Sequence, residues 1–407
     1  MHRGFYLGLS VVSGIIFIIY MALIVYKEAT PEWKAYQNKY RTLLIKNASD
    51  GTAEKKARSL APRMKQIYIA KLERADRCIN CHIGIDNPLM AKADLPLVTH
   101  SGDYLKQHPV NNYGCTICHK GQGLATNKKD AHGTGSETHW DYPVIPFDYI
   151  ESTCAGCHDF AMLEKNGFKK VAKGERVFRI SGCKGCHKLE GVGGVLGNSL
   201  DGVGFQPISY FPMAHVEGAK TSYSWMKEHF DDPINLVLDS KMLSNLTDEE
   251  ANLLTTYILS LQSDEIHKDY RRIDSSAKIK ISEDEGESLY KMYCVACHGT
   301  GKDSVYDGVF ERTIPAIMNP AFLGAADNKI LKTMISEGRA DTQMTAWKTD
   351  AAGLEEHEID KIIEYITKDR PVQRAKPFGV DQFDGDLQYG EDLYKIRCSS
   401  CHGDKGQ

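Results

Sequence analysis

Two cysteines separated by two residues, with a histidine directly after the second, recur along this chain. The copies are Cys78-Ile-Asn-Cys81-His82, Cys115-Thr-Ile-Cys118-His119, Cys154-Ala-Gly-Cys157-His158, Cys183-Lys-Gly-Cys186-His187, Cys294-Val-Ala-Cys297-His298 and Cys398-Ser-Ser-Cys401-His402. C-x-x-C-H is the pattern that attaches a c-type haem. The two thiols become thioethers to the vinyl groups, and the adjacent imidazole stands under the iron as its proximal ligand. A zinc ribbon or a redox-active dithiol also uses paired cysteines, but neither needs the histidine. With 15 His in 407 residues, six such coincidences have a chance on the order of 10⁻⁹, taken as a simple product over the pattern. All 12 cysteines fall in the six motifs, which leaves none for a disulfide.

The sixth motif differs from the others. Only Gly403 to Gln407 follow His402, and five residues cannot cover a haem or supply its second ligand. The expectation is that the natural chain continues; a partner completing the site and a vestigial motif are the alternatives. Five haems c are therefore expected outright, with a sixth at Cys398, Cys401 and His402.

A chain of 407 residues exceeds one ordinary core, so several domains are expected. A formal net charge of −4 argues against a nucleic-acid partner, and ordinary hydrophobicity argues against a disordered chain. Haem-bearing cysteines mature on the outer face of an energised membrane, which places residues from about 78 onward in a periplasm-like space.

Phe5 to Tyr26 is an uncharged apolar run of 22 residues, long enough to cross the hydrocarbon core as a helix. A cleaved signal peptide would have a shorter apolar region and a small-residue cleavage site, and Met21 to Tyr26 offers none. The reading is an uncleaved single-pass anchor over residues 1–27 in the inner (cytoplasmic) membrane. Its orientation is contested: Arg3 precedes the span, whereas Lys27, Lys34, Lys39 and Arg41 follow it. The positive-inside rule alone puts the C-terminal side in the cytoplasm, but long domains translocate largely regardless of charge. Haem attachment decides for the periplasmic side.

Residues 28–77 read as a basic helical stalk. Thr30-Pro31-Glu32 marks a helix start with a capping hydroxyl, and Trp33, Tyr36 and Tyr40 are placed for the lipid head groups. Turn residues at Asn47 to Gly51 end that helix, and a second is expected over Ala53 to Arg74. The segment 27–77 holds 13 Lys/Arg against 6 Asp/Glu, which reads as a solvated face or as contact with anionic lipid or a partner subunit.

Residues 78–165 form a trihaem module with few apolar side chains, so the porphyrins must supply much of its core. Three haems need three distal ligands. His100, His108, His132 and His139 are the candidates, with Met90 and Met162 as competitors.

Beyond it, residues 168–265 and 280–372 repeat one plan. Gly174-Glu-Arg-Val-Phe178 precedes Cys183, and Gly286-Glu-Ser-Leu-Tyr290 precedes Cys294. A closing helix follows in each, through Leu261 with a Thr247–Glu250 capping box, and from about Leu354 to Lys368. Gly390-Glu-Asp-Leu-Tyr394 before Cys398 starts a further copy over 385–407. The charged linkers Ser263–Lys280 and Asp369–Gln388 read as tethers between beads.

These repeats resemble mono-haem cytochrome c domains, in which a Gly-and-aromatic N-terminal helix crosses a C-terminal one and a loop methionine is the distal ligand. The resemblance implies Met242 and Met344 in that role. Met213, Met226, His215 and His229 are alternatives to Met242, while Met318 and Met334 read as core.

The first 165 residues are similar to the multihaem subunit of bacterial quinol-oxidising complexes, of cytochrome b/Rieske or alternative quinol:cytochrome c reductase type. The features that carry this are the N-terminal span, His108-Pro109, Tyr113 to Gly123, Asp130-Ala-His132-Gly, and His139-Trp140. The fold class expected is mainly α: a transmembrane helix, a haem-packed irregular module, then tandem all-α cytochrome c domains. The resemblance implies a non-enzymatic electron-transfer subunit of the respiratory chain. It would work with cytochrome b or other quinol-oxidising subunits and a soluble acceptor such as a small cytochrome c. A multihaem reductase with one open iron is an alternative, as is a conduit to extracellular acceptors.

Intact-mass measurement of the purified protein is expected to exceed the polypeptide mass by one haem for each loaded motif. The paired substitution Cys294→Ala/Cys297→Ala removes one haem from that total, whereas a polypeptide carrying no porphyrin would end the reading.

Overall fold

The computed structural model describes residues 2–72, 74–134, 140–238, 240–242, 244–262, 284–307, 312–339, 342–370 and 387–398. The chain is mainly helical, and its contacts divide it into two units, Met1–Pro146 and Phe147–Gln407. His139, Cys401, His402 and the linker residues 263–280 lie outside the described residues.

In the first unit, the apolar run forms one helix, α1 (His2–Ala29). At 1.5 Å per residue it is about 42 Å long, against a hydrocarbon core of about 30 Å. Its large side chains are exposed throughout. An apolar helix of this length at the N-terminus is what a membrane anchor and a signal sequence have in common. Thr30 ends it: its N–H and its hydroxyl both donate to the Tyr26 carbonyl, at 3.0 and 2.7 Å. The expected capping role of Thr30 is therefore corrected. The hydroxyl closes the helix behind it, and Pro31 is the N-cap of α2 (Glu32–Lys46), with no side-chain cap.

The second expected helix is also corrected. Only α3 (Gly51–Arg58) forms, capped by Asp50, whose carboxylate accepts from the Thr52 and Ala53 N–H groups at 2.8 Å. Pro62 ends helical continuation, and the chain then turns extended. Strand β1 (Ile67–Ile69) pairs antiparallel with β2 (Arg74–Asp76), Tyr68 opposite Ala75. Ile67 and Ile69 are buried and Tyr68 exposed, which is the two-residue period of a half-covered strand.

Nor does the basic segment stand apart as a stalk. Gln37 on α2 is buried and donates to the Arg63 carbonyl at 3.0 Å, while its own carbonyl accepts from Arg63 N–H at 2.9 Å. Trp33, expected near lipid head groups, is 6% exposed, and the Tyr40 hydroxyl accepts from Asn87 at 2.8 Å. These side chains fold onto the region of the first motif.

The second unit is built on two crossed helix pairs. α4 (Lys170–Ile180) crosses α6 (Asp248–Ser260), with α5 (Ser222–Asp231) also against α6; α7 (Glu285–Tyr293) crosses α9 (Glu356–Ile366), which α8 (Asn328–Glu337) supports. Glycine makes each crossing close: a Cβ on Gly174 would strike the Leu253 carbonyl, and one on Gly286 the Lys361 carbonyl. Aromatic pairs lock them, Phe178 with Tyr257 at 5.1 Å between ring centres and Tyr290 with Tyr365 at 5.4 Å. The Thr247–Glu250 capping box is present, and Glu355–Glu358 forms another. A two-stranded hairpin, β3 (Val305–Asp307) with β4 (Arg312–Ile314), follows the fifth motif. The repeat helix α10 (Leu387–Arg397) carries Gly390, whose missing Cβ faces open space.

The third motif belongs to this second unit. The helical turn Glu151–Cys154 packs on α6. Tyr149 donates to Asn252 at 2.9 Å, and the Glu151 carboxylate accepts from the Lys170 and Val171 N–H groups at the start of α4.

Gly174→Ala forces a methyl into a backbone carbonyl that cannot swing aside and is expected to cost about 1–3 kcal/mol. Gly390→Ala, in the same sequence context but open space, is neutral or stabilising by up to ~1 kcal/mol. Thermal unfolding of the two full-length variants compares them directly.

Candidate functional site

The five described motifs share one backbone turn. In each, the histidine N–H donates to the carbonyl of the first cysteine, at 2.9, 3.0, 3.0, 3.0 and 2.9 Å for His82, His119, His158, His187 and His298. The second cysteine N–H reaches the same carbonyl at 3.1–3.2 Å. A single helical turn thus brings both sulfurs and the imidazole to one side, which is what a covalently held porphyrin requires.

Burial governs the chemistry of these groups. It pushes the Cys81 thiol up to about 11 and those of Cys183 and Cys294 to about 12. Such thiols are not the poised thiolates of a dithiol exchanger. Burial also holds the His82, His119, His187 and His298 imidazoles below their usual range, leaving a neutral ring nitrogen for a metal. Two proximal rings are oriented by backbone: His187 Nδ1 lies 2.7 Å from the Asn198 carbonyl oxygen and His298 Nδ1 lies 3.4 Å from that of Pro315. A carbonyl only accepts, so Nδ1 carries the proton and Nε2 is the nitrogen left able to ligate a metal. Gly197 lies flat against His187, where any Cβ would strike the ring.

In the first unit two imidazole pairs stand out. His82 and His132 have ring centres 6.2 Å apart, and His100 and His119 have theirs 6.1 Å apart. Two imidazoles bound to opposite faces of one metal ion at about 2.0–2.1 Å each place their ring centres roughly 6.3 Å apart. Each pair joins one motif histidine to one histidine from outside the motifs. His100 turns Nδ1 to the Ser101 carbonyl at 2.7 Å, which again leaves Nε2. A cleft of about 270 Å³ beside His82 is lined by the aliphatic side chains of Ile67, Ile79, Ile83, Ile85, Leu105 and Val110 together with the polar Lys65, Asp86 and Asn111. His108 is engaged elsewhere: its Nδ1 is 3.2 Å from the Tyr104 carbonyl and its ring lies edge-on to Tyr113. Met90, the competing ligand, is fully buried and packs where Gly84 leaves room.

Sequence reasoning missed Asp76, which holds the first two motifs together. It is fully buried, and its Oδ2 accepts from the Cys115 N–H (2.7 Å), the Thr116 N–H (3.1 Å) and the Thr116 hydroxyl (3.2 Å). Its other oxygen lies 3.7 Å from Cys78 Sγ. Beside it, Asn80 inside the first motif is also buried and satisfied: it donates to the Lys65 and Arg77 carbonyls and accepts from Lys65 N–H, each at 2.7 Å. An aspartate beside an arginine in Arg74-Ala-Asp76-Arg77 gives no sign of this from sequence alone.

In the second unit the methionine loops match. Met242 N–H donates to the Ser240 hydroxyl and Met344 N–H to the Thr342 hydroxyl, both at 3.2 Å. Gly338, with φ +69°, lets the Arg339 N–H bond back to the Met344 carbonyl at 2.8 Å. Met344 packs on the core that holds Tyr293 and Trp347. The same hydroxyl-x-methionine turn in both repeats sets Met242 apart from Met226, a core residue of α5 only 1% exposed. His229, one of the alternatives to Met242, is stacked on Trp225, which sequence reasoning did not single out, at 4.5 Å between ring centres. Trp225 Nε1 and His229 Nδ1 are buried with no hydrogen-bond partner, as expected of groups facing the polar edge of a bound cofactor. Burial, with His187 nearby, pushes the His229 imidazole down to about 4.

The residues present therefore fit covalently held haem. Among the described residues, no cluster of three or more His, Cys, Asp or Glu could hold a metal ion unaided, which the zinc alternative would need.

Asp76→Ala would strand three donors inside the first unit. The expected cost is about 1–3 kcal/mol per unsatisfied buried group, read by thermal unfolding, with lower haem occupancy at Cys115/Cys118 by peptide mass mapping. Unchanged stability and loading would show that Asp76 is dispensable.

Comparison with known families gives two matches. Residues 171–262 match the family described as cytochrome c, and residues 282–366 match cytochrome c oxidase, cbb3-type, subunit III. No curated protein and no solved structure matches the chain. Both matched stretches are the glycine-crossed helix pairs of the second unit, each with its C-x-x-C-H turn and methionine loop. The C-terminal half of this chain is thus made of c-type cytochrome domains, which bind haem c and serve electron transfer.

Proposed function

We propose that the chain is a membrane-anchored multihaem cytochrome that passes electrons from a quinol-oxidising membrane complex to a soluble acceptor. Haem bound at each motif supplies a one-electron ferric/ferrous couple, and this chain's residues hold and tune it. The paired cysteines fix each macrocycle. His82 with His132, and His119 with His100, would supply two imidazoles each, the ligand set of a low-potential site. In the second unit Met242 and Met344 would supply the second ligand to the haems carried by His187 and His298, and a thioether ligand raises the potential relative to a second imidazole. Electrons then run downhill from the first unit to the methionine-ligated domains. Protons released on quinol oxidation stay with the donor complex, since no residue here needs to carry them.

Several features support the rest of the reading. α1 anchors the chain as a single span, with the haem-bearing residues on the periplasmic side. Cytochrome b or other quinol-oxidising subunits are the donors, and a small cytochrome c is a suitable acceptor. The single observation that carries the ligand assignment is the spacing of 6.2 and 6.1 Å between imidazole centres.

An EPR-monitored redox titration tests it. Two low-spin classes are expected, bis-histidine at low potential and histidine–methionine at higher potential. His132→Ala and His100→Ala each convert one bis-histidine haem to a form that binds CO, and Met344→Ala lowers the highest potential. One uniform low-spin class would sink the reading, and prompt CO binding by the unmodified protein would favour a reductase with an open iron.

A further inference from the structure

The two cytochrome c domains do not hang apart as tethered beads. Their haem-attachment turns meet face to face. Gly182, at φ +69°, sits where a Cβ would come within 2.7 Å of Val295 and 2.8 Å of the Ala296 nitrogen. Gly185, inside the fourth motif, is equally close to the Tyr293 carbonyl, at 2.8 Å, and to the Ala296 methyl, at 3.5 Å. The small x-residues Gly185 and Ala296 are what permit the approach. Around them the junction is closed by backbone: Gly193 N–H donates to the Ala352 carbonyl at 2.8 Å, and Lys188 Nζ donates to the Ala351 carbonyl at 2.9 Å. At its centre Cys186 and Cys297, the second cysteines of the two motifs, are neighbours. The buried carboxylate of Asp307 lies near both.

Both sulfurs belong to the second cysteine of their motif, so each would carry the same edge of its macrocycle. The first unit shows the same device in another register. There the first cysteines of motifs one and two, Cys78 and Cys115, both contact the buried Asp76 carboxylate.

From this junction we infer that the haems of motifs four and five would be held as a fixed, closely spaced pair across the domain boundary, because the two turns that attach them are in direct contact. The inference deepens the electron-relay reading and rests on it. Electron exchange between the two domains then needs no tether motion or docking. The pair also titrates as a unit. Oxidising one iron adds a positive charge within the weakly screened junction, which raises the potential of the other.

The test is Soret circular dichroism on the haem-loaded full chain. Two closely spaced macrocycles couple their transitions and give a bisignate band. Ascorbate, which reduces the higher-potential haems first, is expected to reveal such a couplet in the reduced-minus-oxidised spectrum. In the Ala296→Phe variant, whose ring wedges the turns apart, this couplet collapses while intact mass shows all haems retained. Ala296→Ser keeps it. A wild-type protein without the couplet overturns the pair even if Ala296→Phe fails to load, as does a couplet unchanged in a fully loaded Ala296→Phe. Absorbance separates the underlying reading: if ascorbate reduces all haems or none, the ligand assignment fails. The comparison of fully dithionite-reduced wild type and Ala296→Phe then still decides the junction.

Discussion

A porphyrin held by two sulfurs and one imidazole must be met by all three from the same side, and one helical turn does this. Every described motif adopts that turn, with the histidine N–H returning to the carbonyl of the first cysteine. The rest of the fold can be understood as support for it. The turn is too short to be stable alone, since nucleating a helix costs more than one hydrogen bond returns. Each copy therefore leans on something else: Asn80 and Asp76 in the first unit, the crossed helix pairs in the second.

The two units solve the support problem differently. The first has few long elements, and its polar groups are buried. Gln37, Asp76 and Asn80 are each 5% exposed or less, and each makes several hydrogen bonds. A satisfied buried network specifies one arrangement, because breaking any member leaves a polar group stranded. The second unit uses glycine-permitted helix crossings closed by aromatic pairs and aliphatic rows such as Ile359, Ile362, Ile363 and Ile366. Packing of that kind gives a stiff frame in which a methionine loop can be held over a histidine.

Close approach recurs at a third level. Gly174 and Gly286 bring helices together within a domain, and Gly182 and Gly185 bring two domains together. In each case a missing side chain lets neighbouring segments approach closely. Small residues in this chain thus set the spacing between the two attachment turns as well as between helices.

Much of this was legible in the chain itself. The motifs identify the attachment points because the macrocycle dictates residue type and spacing. The 3.6-residue periodicity and the capping boxes located α6 and α9, since local backbone bonding decides those ends. The apolar run located α1 for the same reason. Tertiary structure alone decided what depends on chain-distant residues. It paired His132 with His82 and His100 with His119, buried Asp76, turned the expected helix over 53–74 into a short helix and a strand, and joined the third motif to the second unit. It also brought Cys186 against Cys297, 111 positions apart by subtraction of their numbers. Histidines between motifs carry no mark of which iron they face, because that is fixed by where the chain returns in space and not by their neighbours in sequence.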